Sequence, residues 1–153
     1  MKKNNISIFI DADASPVVNG VIHLREELNV SVILIHSRAH IRNKELPADV
    51  QTVIVEAGPD AADYEIIRRA KSGDIAVTED LGLSSILLAK GVHVINAHGK
   101  IISQMEMDSL LEVRHAAQKE RRSGKRVKGP KKRKQEDEEQ FLEKLRELVK
   151  LST

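Results

Sequence analysis

Cysteine is absent from this chain, and aromatic residues amount to only 2% of it. The first absence excludes disulfides, thiolate metal sites and cysteine nucleophiles, and is compatible with a reducing cytosol. The second leaves Phe9, Tyr64 and Phe141 as the only rings. The core must therefore be built from Ile, Leu, Val and Ala, and a row of base-stacking aromatics of the single-strand-binding type is not expected. No apolar run approaches the ~20 residues of a membrane helix. The start, Met1-Lys2-Lys3-Asn4-Asn5, leads into a strand-like run too short for a signal-peptide core. A cytoplasmic protein is the expectation. There is no Walker loop, no dinucleotide fingerprint and no internal repeat.

What remains is an aliphatic, highly charged chain. At 153 residues, with 41% hydrophobic and 31% charged, it suits one domain of ordinary size with a real core. The net charge of +2 conceals a strong asymmetry. Residues 1–118 carry 12 Lys and Arg against 16 Asp and Glu, residues 119–134 carry 10 against 1, and residues 135–153 carry 3 against 6. One strongly basic segment thus lies between two acidic ones.

Apolar runs mark the strands: Ile6–Ile10, Val30–Ile35, Thr52–Val55, Ile75–Val77 and Val92–Ile95. Helical patterns lie between most of them. Ser15-Pro16 opens the first helix, with Ser15 as N-cap and Pro16 at the first helical position. A helix follows from about Ala61 to Lys71, and another from Leu83 to Ala89, ended by Gly91. Ser103-Gln104-Met105-Glu106 has the spacing of a capping box and would start a helix to about Arg121. Phe141, Leu142, Leu145, Leu148 and Val149 recur at helical spacing, so a last helix over 136–150 should dock on the domain. The alternation implies an α/β fold with a mainly parallel sheet of about five strands and helices on both faces. The division expected is an α/β domain over 1–122, a basic flexible loop over 123–135 and the docking helix over 136–153.

Acids gather where such a sheet binds ligands, beyond the carboxyl ends of its strands. Asp11 and Asp13 follow the first strand, Asp60 and Asp63 the third, and Glu79 and Asp80 the fourth. Each also has a structural reading. Aspartate is a good N-cap, worth ~1 kcal/mol: Asp60 sits where a cap for the helix at Ala61 belongs, Asp80 precedes the next helix, and Asp13 precedes Ser15-Pro16. A helix start needs only one capping acceptor, however, and each strand end offers two acids. Asp11 has no helix to cap. Carboxylates brought to ~4 Å repel by about 4 kcal/mol per pair at an effective dielectric of 20. A cluster of them therefore calls for a cation or a shared proton. An all-oxygen site suits Mg²⁺ or Mn²⁺, one or two ions, which bind phosphate oxygens and activate water. Thr78 is a supporting candidate that can hydrogen-bond a ligand carboxylate or a water.

Asp11-Ala12-Asp13-Ala14-Ser15-Pro16, Gly58-Pro59-Asp60-Ala61-Ala62-Asp63-Tyr64, Gly73-Asp74-Ile75-Ala76-Val77-Thr78-Glu79-Asp80 and Ser123-Gly124-Lys125-Arg126-Val127-Lys128-Gly129-Pro130 occur in this order. Together, over about residues 6–142, they resemble the bacterial YaiI/YqxD family, which looks related to PIN-like nuclease domains. That resemblance implies a three-layer PIN-like fold and Mg²⁺- or Mn²⁺-dependent hydrolysis of RNA. By position, Asp11, Asp63 and Asp80 match the catalytic metal-holding acids, with Asp13 as a further ligand and Asp60 in support. The family reads Asp-Ala-Cys-Pro where this chain has Asp13-Ala14-Ser15-Pro16. Serine keeps a cap but removes the thiol, so a thiol mechanism is excluded. Ser15 has no identifiable general base and reads as a cap.

Arg121, Arg122, Lys125, Arg126, Lys128, Lys131, Lys132, Arg133 and Lys134 suit a polyanion. Beside an acidic metal site they would offset its repulsion of phosphates, which favours nucleic acid, RNA before DNA, over a neutral metabolite. The bland reading is a solvated loop. His36 and His40 are four residues apart but straddle a strand end, so zinc is not expected from them. His23, His93, His98 and His115 are dispersed. Two functional classes follow: a metal-dependent nuclease or phosphodiesterase, and a non-catalytic RNA-binding module that keeps the fold and the basic arm. Hydrolysis of a small phosphorylated metabolite is a weaker third.

Overall fold

The computed structural model describes residues 6–12, 15–37, 46–56, 60–107, 109, 116 and 133–152. Six strands form one sheet: β1 (Ser7–Asp11), β2 (Ser31–Ser37), β3 (Gln51–Val55), β4 (Ile75–Val77), β5 (His93–Ile95) and β6 (Ile101–Ile102). Their order is β3-β2-β1-β4-β5-β6, parallel throughout except that β6 runs antiparallel to β5. Among the described residues, the helices α1 (Val18–Leu28), α2 (Ala61–Arg69), α3 (Leu81–Ala89) and α4 (Gln135–Ser152) accompany them.

The period of two along each strand builds the layers. Ile8 and Ile10 of β1, with Val32 and Leu34 of β2, bury against Val18 and Val21 of α1 and Phe141, Leu145 and Leu148 of α4. Phe9, Ile33, Ile35 and Ala76 point the other way, into a second core with Ile66 of α2 and Leu83 and Leu87 of α3. Both faces of the central strands are covered, which is why they read as unbroken aliphatic runs. Each Ile, Val, Leu or Phe fully buried in this way contributes about 1.5–3 kcal/mol. The fold is therefore the expected three-layer α/β arrangement with a mainly parallel sheet.

Several boundaries differ from those read in the sequence. Thr52–Val55, taken as a buried strand, belongs to the edge strand β3, where Ile54 is 48% exposed. Strand β2 continues through His36 and Ser37, both buried. Helix α1 starts at Val18 with Val17 at its N-cap position, later than Ser15-Pro16 implied. Strand β6, two residues long, was not anticipated. It forms because Asn96 turns the chain: its Oδ1 accepts the N–H groups of His98 and Lys100, both at 3.0 Å.

Other local expectations hold. Gly91 closes α3 in the left-handed conformation, φ +84°. Residues 104–107 are helical, and Ser103 Oγ accepts the Glu106 N–H at 3.3 Å; most of the helix expected to run to about Arg121 lies outside the described residues. Asp74 is a buried structural acid at the amino end of the sheet. Its two oxygens accept the Ser7 and Lys71 N–H groups at 3.0 and 2.9 Å.

Candidate functional site

The strand order reverses between β1 and β4. From β1 the chain moves outward through β2 to β3, then crosses to β4 and continues the other way. Parallel sheets leave a crevice at such a point, beyond the strand carboxyl ends. Here it is a cleft of ≈ 260 Å³ lined by Asp11, Ser15, Asp63, Thr78, Glu79 and Asp80, with Pro16, Val77 and Ala97 as its apolar part.

Each acid arrives by a different route. Asp11 is the last residue of β1, its register set by pairing with Ile35, and Ala12 N–H closes on the Ile35 carbonyl at 2.8 Å. Glu79 and Asp80 follow β4 directly. Asp63 comes from the connection after β3, which is two strands away from β1. It reaches the cleft because α2 packs across β2 and β1 on its way from the sheet edge to β4. The convergence expected from neighbouring strands thus occurs, with a crossover helix delivering the third acid.

The carboxylates are not equivalent. Asp80 is the N-cap of α3: its Oδ1 accepts the Leu83 N–H at 2.9 Å. Thr78 Oγ1 accepts the Asp80 N–H at 3.0 Å, so it fixes the Asp80 backbone rather than a carboxylate. Glu79 Oε1 accepts the Ala97 N–H at 3.2 Å, tying the β4 end to the turn before β6. Asp60 occupies the N-cap position of α2 but makes no side-chain cap bond, so capping does not account for it. It lines an adjoining groove and not this cleft. Ser15 faces the cleft. Its hydroxyl accepts the Val17 N–H at 3.4 Å in a local turn, instead of capping α1.

Asp63 shows the electrostatic cost of this arrangement. Partial burial, and then repulsion from Asp80, Asp11 and Asp60, raise its carboxyl from 3.8 to about 6. A raised folded-state pKa contributes stability that is complete below about 3.8 and lost as pH rises through about 6. Screened by its exposure to water, the ionised group costs about 1 kcal/mol at neutral pH. Asp63→Asn should therefore match the wild type at pH 4 but melt about 2–4 °C higher at pH 7.5 in chelator. Equal melting temperatures at both pH values would remove the strain assigned to Asp63.

Among the described residues, no group of three or more Asp, Glu or His lies close enough to grip an ion by itself. The cleft acids feel one another across a gap. Asp13 lies outside the described residues, as do His40, His115 and most of the basic segment: Arg121, Arg122, Lys125, Arg126, Lys128, Lys131 and Lys132. The end of that segment is visible, and it reveals a role the sequence did not suggest. Arg133 donates to the Ala97 carbonyl and, at 2.6 Å, to Glu138 of α4. Arg133 is thus an anchor on the cleft wall, whereas Lys134 is exposed. His36 is buried in β2, and His98 lies 3.7 Å from Asp137. None of the described helices is long and apolar enough to cross a membrane.

Comparisons with known proteins agree with the motifs. The model of the "Uncharacterized BCR, YaiI/YqxD family" matches residues 9–151. A UPF0178 protein of Oceanobacillus iheyensis is 43% identical over 136 residues, 89% of this chain and 93% of that one. A UPF0178 protein of Bacillus cereus is 40% identical over 146 residues, 95% of this chain and all of the relative. One of Bacillus mycoides is 40% identical over 136 residues, again 89% and 93% of the two chains. No solved structure matches. With its four ordered motifs and relatives matched over nearly their full length, the chain belongs to the YaiI/YqxD family.

Proposed function

We propose that this protein is a PIN-like, metal-dependent nuclease or phosphodiesterase acting on RNA. The main support is the meeting of Asp11, Asp63 and Asp80 in one cleft at the sheet's reversal point. Three separated chain segments supply them, and their mutual repulsion is what a cation relieves. The donor set is all oxygen, which suits Mg²⁺ or Mn²⁺. Magnesium is commonly bound by one or two carboxylates plus water and substrate phosphate, rather than by an all-protein cage. Carboxylates arranged around a gap are compatible with that mode. In this reading Asp11, Asp63 and Asp80 hold the ion, with Asp13 as a further ligand and Asp60 in support. Thr78 keeps Asp80 in place through its backbone. When bound, the ion would polarise a phosphate oxygen and lower the pKa of a water.

The basic segment supplies the other half of the argument. Its carboxyl end is pinned at the cleft wall through Arg133 and Ala97. Lys134 and the preceding Arg121, Arg122, Lys125, Arg126, Lys128, Lys131 and Lys132 are then the phosphate-binding side chains. Arg133 contributes as the tether.

The direct test is thermal melting with added Mg²⁺ or Mn²⁺ after chelation. An ion at about 100 times its Kd stabilises by about 2.7 kcal/mol, or roughly 5–10 °C for a chain of this size. Asp11→Asn should abolish the shift. No shift in the wild type would overturn the metal reading. A shift with RNA binding, but no cleavage of any RNA or DNA offered, would favour the non-catalytic RNA-binding alternative.

A further inference from the structure

Beside the carboxylate cleft lies a second groove of ≈ 290 Å³ between α2 and α3. The two share Asp63 and Asp80 as a common border. The groove's own surface has a different character. Tyr64 and Ile67 come from α2 and Leu83 and Ile86 from α3, with Asp60 at the α2 start. Tyr64 is 66% exposed and Ile86 48% exposed, in a chain whose other aromatics, Phe9 and Phe141, are buried. Gly82 also lines the groove, and a Cβ there would lie 3.2 Å from Asp80 Oδ1.

We propose that this groove is a nucleoside subsite, in which Tyr64 stacks on the base of a nucleotide whose phosphate sits in the carboxylate cleft. The inference rests on the nuclease reading and extends it to a residue that reading does not use. The match is one of adjoining characters: a flat, apolar ring joined to a phosphate meets an aromatic and aliphatic slot joined to a site for a cation and phosphate. A wholly apolar partner would gain nothing from the acidic border. A phosphate without a base would leave the slot unfilled. Asp60, a carboxylate with no cap to make, offers acceptors to base amino groups or ribose hydroxyls. Stacking on one aromatic tolerates every base, because each has a π face. The low aromatic content thus excludes a row of stacking platforms but leaves room for a single one.

The chain has one tyrosine and no tryptophan, so its tyrosine emission reports on Tyr64 alone. The probes are a short single-stranded oligoadenylate RNA and an abasic chain with the same number of phosphates, both also followed by anisotropy of an end label. The base-bearing strand should quench Tyr64 as it binds, while the abasic chain binds without quenching. Tyr64→Ala should weaken binding of the base-bearing strand about tenfold and leave the abasic chain unaffected, with Tyr64→Phe restoring it. The side chain is largely exposed, so these variants keep the fold. Binding of both chains with no change in Tyr64 emission would overturn the subsite and leave the nuclease reading standing. Equal quenching by both chains would overturn stacking in the same way. Failure of both chains to bind would overturn the subsite together with the nucleic-acid reading beneath it.

Discussion

Asp11→Asn and Asp63→Asn should each reduce Mg²⁺-dependent cleavage of RNA by at least about a hundredfold, the scale on which removal of one transition-state-stabilising group is felt. Asn preserves the size of each side chain and removes the charge that attracts a cation. Asp63→Asn carries an internal control, because relief of repulsion should make it more stable in chelator while it loses activity. Unfolding is then no explanation for the loss. Asp80 calls for the same substitution for a different reason. Its Oδ1 caps α3 through the Leu83 N–H, and Asn caps a helix about as well as Asp. Asp80→Asn should therefore hold its melting temperature yet lose activity, whereas Asp80→Ala would also lose about 1 kcal/mol with the cap. Asp60→Asn should have the smallest effect, since Asp60 lines the adjoining groove. Initial rates on RNA and DNA substrates, with Mg²⁺, Mn²⁺ and chelator, check all four. Full activity in Asp11→Asn, or cleavage unaffected by chelator, would sink the proposed chemistry.

The acids were legible because their positions depend on strand ends, and aliphatic runs mark strand ends well. Asp11 and Asp80 needed only the placement of β1 and β4 as neighbours, which parallel α/β topology makes common. Asp63 was legible for a less secure reason. Its strand lies at the sheet edge, and only the crossing path of α2 brings it back. The roles of individual oxygens were not legible. Asp60 looked like a cap and makes no cap bond, whereas Asp80 both caps and faces the cleft. Sequence places a residue at a helix start, but the choice between backbone N–H and cleft depends on a rotamer. Arg133 shows the same limit. Within a run of cations nothing distinguishes the one that meets the Ala97 carbonyl, and only the approach of α4 to the β5–β6 turn selects it. Strand β6 escaped because two residues are too few to show a period of two.

That approach of α4 to the β5–β6 turn hinges on Gly99, and Gly99→Ala should destabilise the protein by about 3 kcal/mol. Two causes add. Gly99 has φ +88°, a conformation that costs an L-residue roughly 1–2 kcal/mol. A Cβ would also lie 3.0 Å from the Gln140 carbonyl atoms and 3.1 Å from the Phe141 Cα. These are backbone atoms of a helix whose Phe141 side chain is fully buried, so the helix cannot yield without moving the core, and overpacking of that kind costs about 1–3 kcal/mol. Melting should fall by roughly 6–12 °C. The damage would not stay local. The same helix start holds Arg133 through Glu138, Arg133 holds the Ala97 carbonyl, and the Ala97 N–H holds Glu79 at the cleft. Pushing α4 away from the turn therefore loosens one wall of the site and the attachment of the basic segment together. Urea unfolding of Gly99→Ala measures the first effect. Oligonucleotide affinity at temperatures where the variant remains folded measures the second, and it should fall several-fold. His98→Ala is the matching control: its neighbouring side chain is half-exposed and only 3.7 Å from Asp137, a contact worth less than about 1 kcal/mol. If Gly99→Ala were as stable as His98→Ala, the turn would not be clamped by α4, and the link from the basic segment to the cleft would have to run elsewhere.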